Sequence, residues 1–274
     1  MEKDLRLKEY FLFTQHSLST FENCPLKFKK RYLENLKWDS FPDESIKHSL
    51  EMGNDFHLLA YRYFMGIEDE ANNLGRENGE LAGWLESLKN SFKIVKDYKY
   101  FPEYKLRMSD SLIRLEANYD LIILKDNVLE VWDWKTHPGK PGTGSVKAKR
   151  SLRDSLQTLV YLFVLKEQAR LVAGREISCE NISMYYWQPD FPHILEEIKY
   201  GVKQHEEARN SIEARIGKIT GYDYSMFDKA LYGKHCKYCE FNWFCNNERI
   251  DFGAIEEVGD FLDAIEWESI EERY

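Results

Sequence analysis

The sequence predicts an α/β protein, because strand patterns and helical patterns alternate along the chain. Residues 112–135 contain two apolar runs separated by Lys125-Asp126-Asn127, which is the pattern of a β-hairpin. Residues 177–188 form a further apolar run, typical of a buried strand. Segments with helical spacing of apolar residues lie before the hairpin and after it.

Helices are predicted from this spacing at 16–36, 48–65, 151–169 and 194–217. Residues 66–100 are also expected to be mostly helical, and we place a helical insertion at about 58–100. Residues 138–150 are rich in Gly, Pro and Lys, which indicates a basic loop. The division we expect is one domain over 1–255 and an acidic tail over 256–274.

The hairpin sets two aspartates opposite each other. Asp126 and its neighbour Asn127 tolerate the backbone angles of a tight turn, so Lys125 should pair with Val128. In that register Asp120 faces Asp133, with Cβ atoms roughly 4.5–5.5 Å apart. Because strand side chains alternate between faces, Lys135 shares a face with Asp133.

Two carboxylates at this separation can share a divalent cation. Hard oxygen ligands suit Mg²⁺, and a histidine can join them when Mn²⁺ is accepted. Asp120 and Asp133 supply the carboxylates, the backbone carbonyl of Trp134 could add an oxygen, and Lys135 could polarise an attacking water. His57 follows Gly53 by one helical turn, which permits close approach to the sheet. The competing interpretation is a surface ion pair, although charges in an apolar strand are costly without partners.

The cysteines give the sharpest local signal. Cys236, Cys239 and Cys245 form a C-x2-C-x5-C cluster, whereas Cys24 stands alone near the other end of the chain. Five cysteines, an odd number, favour metal ligation over disulfides. Thiolate-only ligation and aromatic neighbours favour a 4Fe–4S cluster, while His235 beside the cluster keeps zinc open as an alternative.

The net charge of −9 does not exclude a nucleic-acid partner, because the tail over 256–274 alone carries −7. Two basic runs could contact phosphates: Lys27, Lys29, Lys30 and Arg31, and Lys147, Lys149 and Arg150. A solvated helix face is the alternative for each run. The sequence has no run of about 18 apolar residues and no signal-peptide layout at its start, so we expect a cytoplasmic protein with no membrane span.

These motifs, from Ser17 to Cys245, resemble the RecB-type branch of the PD-(D/E)XK nuclease superfamily. Within it the chain is most similar to the CRISPR-associated RecB-type exonuclease and the nuclease domain of AddB, which carry an iron–sulfur cluster. The resemblance implies a restriction-endonuclease-like fold, with a mixed central β-sheet flanked by helices and a metal-cluster clasp joining the two ends. One departure is Ala117, where the family often has glycine.

The resemblance also implies roles for individual residues. His57, Asp120 and Asp133 would be metal ligands, Lys135 the catalytic lysine, and Gln157 and Tyr161 the family's Q-x3-Y motif beside the active centre. Four cysteines would hold the cluster: Cys24, Cys236, Cys239 and Cys245. Glu103 would match a glutamate found before the first catalytic strand.

The expected function is that of a Mg²⁺- or Mn²⁺-dependent deoxyribonuclease, acting as an exonuclease on single-stranded or frayed ends, with a structural 4Fe–4S cluster. The alternatives are a non-catalytic nucleic-acid-binding adaptor that keeps the fold and a redox-gated DNA-binding protein. Apolar residues in the acidic tail could also dock a protein partner, although a solvated terminal helix is the simpler interpretation.

Overall fold

The computed structural model describes residues 11–36, 44–67, 79–110, 112–136, 152–193 and 195–248. The strands are β1 Lys99–Asp110, β2 Ile113–Lys125, β3 Val128–Trp134, β4 Ile182–Trp187 and β5 Glu196–Lys199. The α-helices are α1 Gln15–Asn23, α2 Pro25–Phe28, α3 Glu44–Phe64, α4 Gly79–Ser91, α5 Leu156–Glu167, α6 Ala169–Ala173, α7 Val202–Thr220 and α8 Asn242–Asn246. A π-helical turn lies at Lys29–Leu33. The 3₁₀-helical segments are Cys179–Asn181, Tyr224–Met226 and Lys229–Tyr238.

The five strands form one mixed sheet in the order β1-β2-β3-β4-β5. All neighbours are antiparallel except β3 and β4, which are parallel and are joined by a crossover that contains α5. The predicted hairpin is confirmed, since Lys125 pairs with Val128. Of the two turn residues Asp126 alone adopts a positive φ, 48°. The mixed sheet flanked by helices that the resemblance implied is therefore confirmed.

Each face of the sheet is covered by its own hydrophobic core. On one face α1, α5 and α7 contribute buried side chains such as Leu18, Phe163 and Ile212. On the other face α3 and α4 pack an aromatic cluster that includes Phe56 and Trp187. Burying a large apolar side chain contributes about 1.5–3 kcal/mol, so the two cores together fix the sheet between the helical layers.

In β1 and β2 the alternation of side chains between the two faces of the sheet shifts by one residue near the middle of each strand. Tyr119 belongs to the first core and Leu121 to the second, although residues two apart on a regular strand share a face. The change occurs at Asp120, and in the same register the neighbouring position on β1 is Glu103, which has a φ of 46°. Both strands are thus irregular at the level where these two carboxylates lie.

Several predicted boundaries are corrected. Residues 196–199 pair with β4 as a strand, so the predicted helix over 194–217 is wrong at its start, and the helix begins at Val202 after Gly201. In the described part of 66–100, helix occupies Gly79–Ser91 and β1 has begun by Lys99. Aromatic residues at the start of β1 favour the strand. The predicted strand over 177–188 begins only at Ile182.

Two other predicted segments, the basic loop over 138–150 and the tail over 256–274, lie outside the described residues. Among the described helices, none combines the length and the apolar composition that a membrane crossing requires.

Candidate active site

Three potential metal ligands converge at the level where the alternation of side chains in β1 and β2 is interrupted. Within the described residues, His57, Glu103 and Asp120 form the one group of three whose ligand atoms all lie within 4.8 Å of one another. His57 Nδ1 lies 3.2 Å from Glu103 Oε1 and 3.5 Å from Asp120 Oδ1. The imidazole comes from α3, which packs against β1, and the carboxylates come from adjacent strands.

His57 and Asp120 shift each other's pKa. Burial acts to lower the pKa of His57, but the carboxylates of Asp120 and Glu103 raise this pKa from 6.5 to about 9. Burial raises the pKa of Asp120 to about 6, against the opposing effect of His57. In the metal-free protein a proton on His57 therefore supplies positive charge among the carboxylates.

Asp120 and Asp133, the predicted pair of aspartates, occupy neighbouring positions on β2 and β3. The observed register ends with Leu121 opposite Trp132, and the next step along both strands reaches Asp120 and Asp133. Asp120 Oδ2 accepts a hydrogen bond of 2.6 Å from the backbone N–H of Trp134. The N–H of Trp134 is thus engaged with Asp120, and a ligand role for its carbonyl stays a prediction.

Asp133 lies outside the group of three and is held by two polar side chains. Lys135 Nζ lies 3.0 Å from Asp133 Oδ2, and Gln157 Nε2 donates to Asp133 Oδ1 at 2.6 Å. Lys135 Nζ also donates to Gln157 Oε1 at 3.1 Å, which closes a ring of three contacts. Asp133 is only 3 % exposed, and burial raises its pKa to about 6 although Lys135 opposes the rise.

Helix α5 presents the predicted Gln157 and Tyr161 to these carboxylates. Its first turn is fixed by Ser155, whose side chain accepts a hydrogen bond from the backbone N–H of Thr158. Burial raises the pKa of Tyr161 well above 10, and the charges of Asp133 and Asp120 add to the rise, whereas a hydrogen bond with Gln157 opposes it. The two residues therefore share one helix face, as their spacing predicts.

The four predicted cluster ligands also approach one another. Cys24 lies between α1 and α2, and the other three lie in the segment from Lys229 to Asn246. Burial raises the pKa of Cys24, and the thiols of Cys236 and Cys245 add to the rise. Burial also raises the pKa of Cys239 to about 12, with Cys24 contributing. Thiols from opposite ends of the chain are thus close enough to interact.

All four predicted DNA-binding cations of the first basic run have partners within the protein. Glu240, which is 9 % exposed, forms a salt bridge of 3.0 Å with Lys27 and a second salt bridge with Arg31. Lys29 pairs with Glu34, and Lys30 lies over the ring of Phe244. The salt bridges to Glu240 join α2 and the π-helical turn to the cysteine-bearing segment, so Lys27 and Arg31 have a structural role that the sequence did not indicate.

The remaining cations predicted to contact DNA, Lys147, Lys149 and Arg150, lie outside the described residues. Glu103, identified from the sequence through resemblance alone, takes a central place in the site. No local periodicity in β1 singles it out, because its position depends on pairing with β2 and on its positive φ.

The residues present fit a divalent cation. One imidazole nitrogen and two carboxylate oxygens are the donor types that Mn²⁺ accepts, and Mg²⁺ prefers the oxygens. The site is half-buried and lies beside the Asp133–Lys135 pair, so three carboxyl groups are gathered at one place on the sheet. This arrangement suits phosphodiester chemistry, in which charge develops on non-bridging oxygens.

Comparison with known proteins agrees with this chemistry. Residues 12–246 match the PD-(D/E)XK nuclease superfamily. The sequence matches none of the curated proteins with which it was compared.

Two solved structures are similar at low identity. One, named SSO0001, is 15 % identical over 88 % of each chain, with a TM-score of 0.41. The other, a provisionally named exonuclease from Eubacterium rectale, is 12 % identical over 76 % of this chain and 81 % of that chain, with a TM-score of 0.45. Neither similarity bears on activity. The region that matches the superfamily contains the whole site and most of the sequence, and the chain therefore belongs to the PD-(D/E)XK nuclease superfamily.

Proposed function

We propose that this protein is a Mg²⁺- or Mn²⁺-dependent deoxyribonuclease that acts on single-stranded or frayed DNA ends. The observation that carries the proposal is the convergence of His57, Glu103 and Asp120 within 4.8 Å, beside the Asp133–Lys135 pair. Membership of the nuclease superfamily supports hydrolysis of a phosphodiester bond. The choice of DNA, and of ends, rests on the sequence resemblance.

His57, Glu103 and Asp120 would hold the cation, and Asp133 would join them as in related nucleases. When bound, the cation would lower the pKa of a water molecule and offset charge on the phosphate. The chain itself supplies a half-buried site, in which electrostatic interactions are stronger than in water. Asp120 is fixed by the Trp134 N–H, so its other oxygen is directed at His57.

Lys135 would act directly on the reacting atoms. Its ammonium group is oriented by Asp133 and by Gln157, both within 3.1 Å. A cation fixed at this point can hold the attacking water or stabilise negative charge on the phosphate. Gln157 and Tyr161 would keep the Asp133–Lys135 side of the site in position and contact the DNA strand.

A cleavage assay with the full chain tests this function. Purified protein is incubated with end-labelled single-stranded DNA, blunt duplex, duplex with frayed ends, circular single-stranded DNA and RNA. We expect cleavage of linear single strands and frayed ends with Mn²⁺ or Mg²⁺, none with EDTA, and recovery when cation is restored. Cleavage of circles would contradict end-dependence, and cleavage of RNA alone would contradict the DNA substrate. Binding of DNA with no cleavage under any condition would favour an adaptor.

We further propose that the four cysteines hold a structural 4Fe–4S cluster. The thiol of Cys24 interacts electrostatically with those of Cys236, Cys239 and Cys245, although it comes from the other end of the chain. Four thiolates are the usual ligands of such a cluster, and the sequence resemblance supports the same choice.

Metal analysis of anaerobically purified protein tests the cluster. We expect about four iron and four sulfide ions per chain and a broad visible absorption, both lost in Cys239→Ser. Cys179→Ser is the matched control, because this thiol is buried in the first core just before β4 and is not one of the four predicted ligands, so the spectrum should stay unchanged. One zinc ion per chain without iron would contradict the proposal.

A further inference from the structure

The ammonium group of Lys135 has a third neighbour besides Asp133 and Gln157. Its Nζ lies over the ring of Tyr186, 5.3 Å from the ring centroid. Tyr186 lies on β4, where it is the register partner of Asp133, and it is 4 % exposed. The lysine is thus bounded by a carboxylate, an amide and an aromatic face.

The ring of Tyr186 is itself held in place. Its hydroxyl lies 2.8 Å from Thr158 Oγ1, and Thr158 donates to the backbone carbonyl of Leu152 at 2.7 Å. Because the proton of Thr158 is given to Leu152, Tyr186 is the donor in their shared hydrogen bond. The oxygen of Ser155, which caps the first turn of α5, lies 3.4 Å from the same hydroxyl.

We propose that Tyr186 is a positioning residue for the reaction, acting through Lys135 with its ring face and through the first turn of α5 with its hydroxyl. This inference rests on the proposed nuclease function. Two independent contacts support it, because Lys135 touches the ring whereas Gln157 sits on the helix whose start the hydroxyl fixes.

The physical reason lies in the flexibility of lysine. A lysine side chain has many rotamers, and one salt bridge leaves several of them accessible. A cation within about 6 Å of a ring centroid is attracted to the ring face, more strongly when the pair is shielded from water. The ring therefore restricts the ammonium group to its position beside Asp133 and Gln157, where a displacement of about 1 Å would slow the reaction markedly.

Three variants separate a positioning role from general stability. Tyr186→Leu removes the ring, and Tyr186→Phe keeps the ring but removes the hydroxyl. Tyr185→Leu is the control, because Tyr185 lies on the same strand but packs its ring on Trp132, 4.4 Å away, and bonds to Glu197. All three lose part of a tyrosine from β4, so a purely structural effect would appear in each.

Steady-state cleavage of labelled DNA with Mn²⁺ is measured at a temperature at which circular dichroism shows every variant folded. We expect Tyr186→Leu to lose about tenfold in kcat, the order of one desolvated cation–π contact, with KM within twofold of wild type. Tyr186→Phe should recover at least a third of the wild-type kcat, and Tyr185→Leu should stay within twofold. Equal kcat values for Tyr186→Leu and Tyr185→Leu, or equal losses in the Phe and Leu variants, would overturn the inference.

A second readout does not depend on cleavage. With ¹³C-labelled lysine, the ε-methylene signal of Lys135, assigned by Lys135→Arg, should be shifted upfield by the Tyr186 ring in wild type and in Tyr186→Phe, and not in Tyr186→Leu. An unshifted wild-type signal would refute the contact even if the protein is an active nuclease. A shifted signal in a protein that cleaves no nucleic acid would refute the proposed function and confirm the contact.

Discussion

Replacing Lys135 with methionine is expected to lower the rate of DNA cleavage by about 10²–10⁴-fold, the range for loss of a group that handles a proton or developing charge. Methionine matches the aliphatic part of the lysine side chain, but it removes the ammonium group that lies 3.0 Å from Asp133 and over the ring of Tyr186. Turnover of labelled DNA with saturating Mn²⁺ measures the effect.

The fold should survive this change. Asp133 is buried, and burial already raises its pKa to about 6 despite the opposing effect of Lys135. Without the ammonium group the carboxyl group can take up a proton, and it keeps its hydrogen bond from Gln157. Thermal unfolding followed by circular dichroism should therefore show a cooperative transition like that of the wild type.

The same hairpin offers a matched control. Lys125 pairs with Glu130 at 2.6 Å and lies over the ring of Tyr98, which reproduces the surroundings of Lys135 away from the carboxylate cluster. Lys125→Met should leave cleavage within about twofold of wild type, because Lys125 lies at the turn end of the hairpin, away from Asp120 and Asp133, and Glu130 keeps its hydrogen bond from Trp132. If Lys135→Met also cleaved at the wild-type rate, Lys135 would have no part in the mechanism.

The part of the site that the sequence predicts is the part governed by local rules. The hairpin register follows from a tight turn and from alternation over a few residues, so Lys125 is correctly paired with Val128. From that register the neighbouring positions of Asp120 and Asp133 follow directly. Gln157 and Tyr161 are likewise set by the spacing of one helix.

What the sequence cannot supply depends on contacts between distant segments. The sequence predicts a helix where β5 lies, because the apolar spacing there fits either structure and only pairing with β4 decides. The salt bridges of Glu240 to Lys27 and Arg31 span more than two hundred residues. No sequence pattern indicates a role for Tyr186, because that role depends on the position of its ring under Lys135, which only the folded structure determines.

Glu103 is the clearest case of a residue defined by tertiary structure, and it leads to the second large prediction. Its φ of 46° is a conformation that costs a non-glycine residue about 1–2 kcal/mol. Strain of this kind persists when the surroundings require it, and here it accompanies the approach of the carboxylate to His57.

Replacing Glu103 with glycine should therefore separate stability from activity. Glycine adopts positive φ freely, and the change also removes a negative charge that raises the pKa of Asp120, while His57 keeps Asp120 as its partner. We expect the free energy of unfolding to stay constant or to rise by about 1 kcal/mol in urea titrations of the metal-free protein. Mn²⁺ affinity should fall by at least about 100-fold, because even a residue that only orients a ligand contributes 10–100-fold, and cleavage at low Mn²⁺ should be lost.

Two further variants make the separation decisive. Glu103→Gln keeps the strained backbone and removes the charge, so it should bind Mn²⁺ as poorly as the glycine variant but unfold at lower urea. Asp126→Gly changes the other strained residue of this sheet, at a φ of 48° in the hairpin turn, and should gain similar stability with full activity. Should Glu103→Gly instead unfold more easily than Glu103→Gln, the carboxylate would be stabilising the fold, and the backbone conformation would not be a cost of holding a metal ligand.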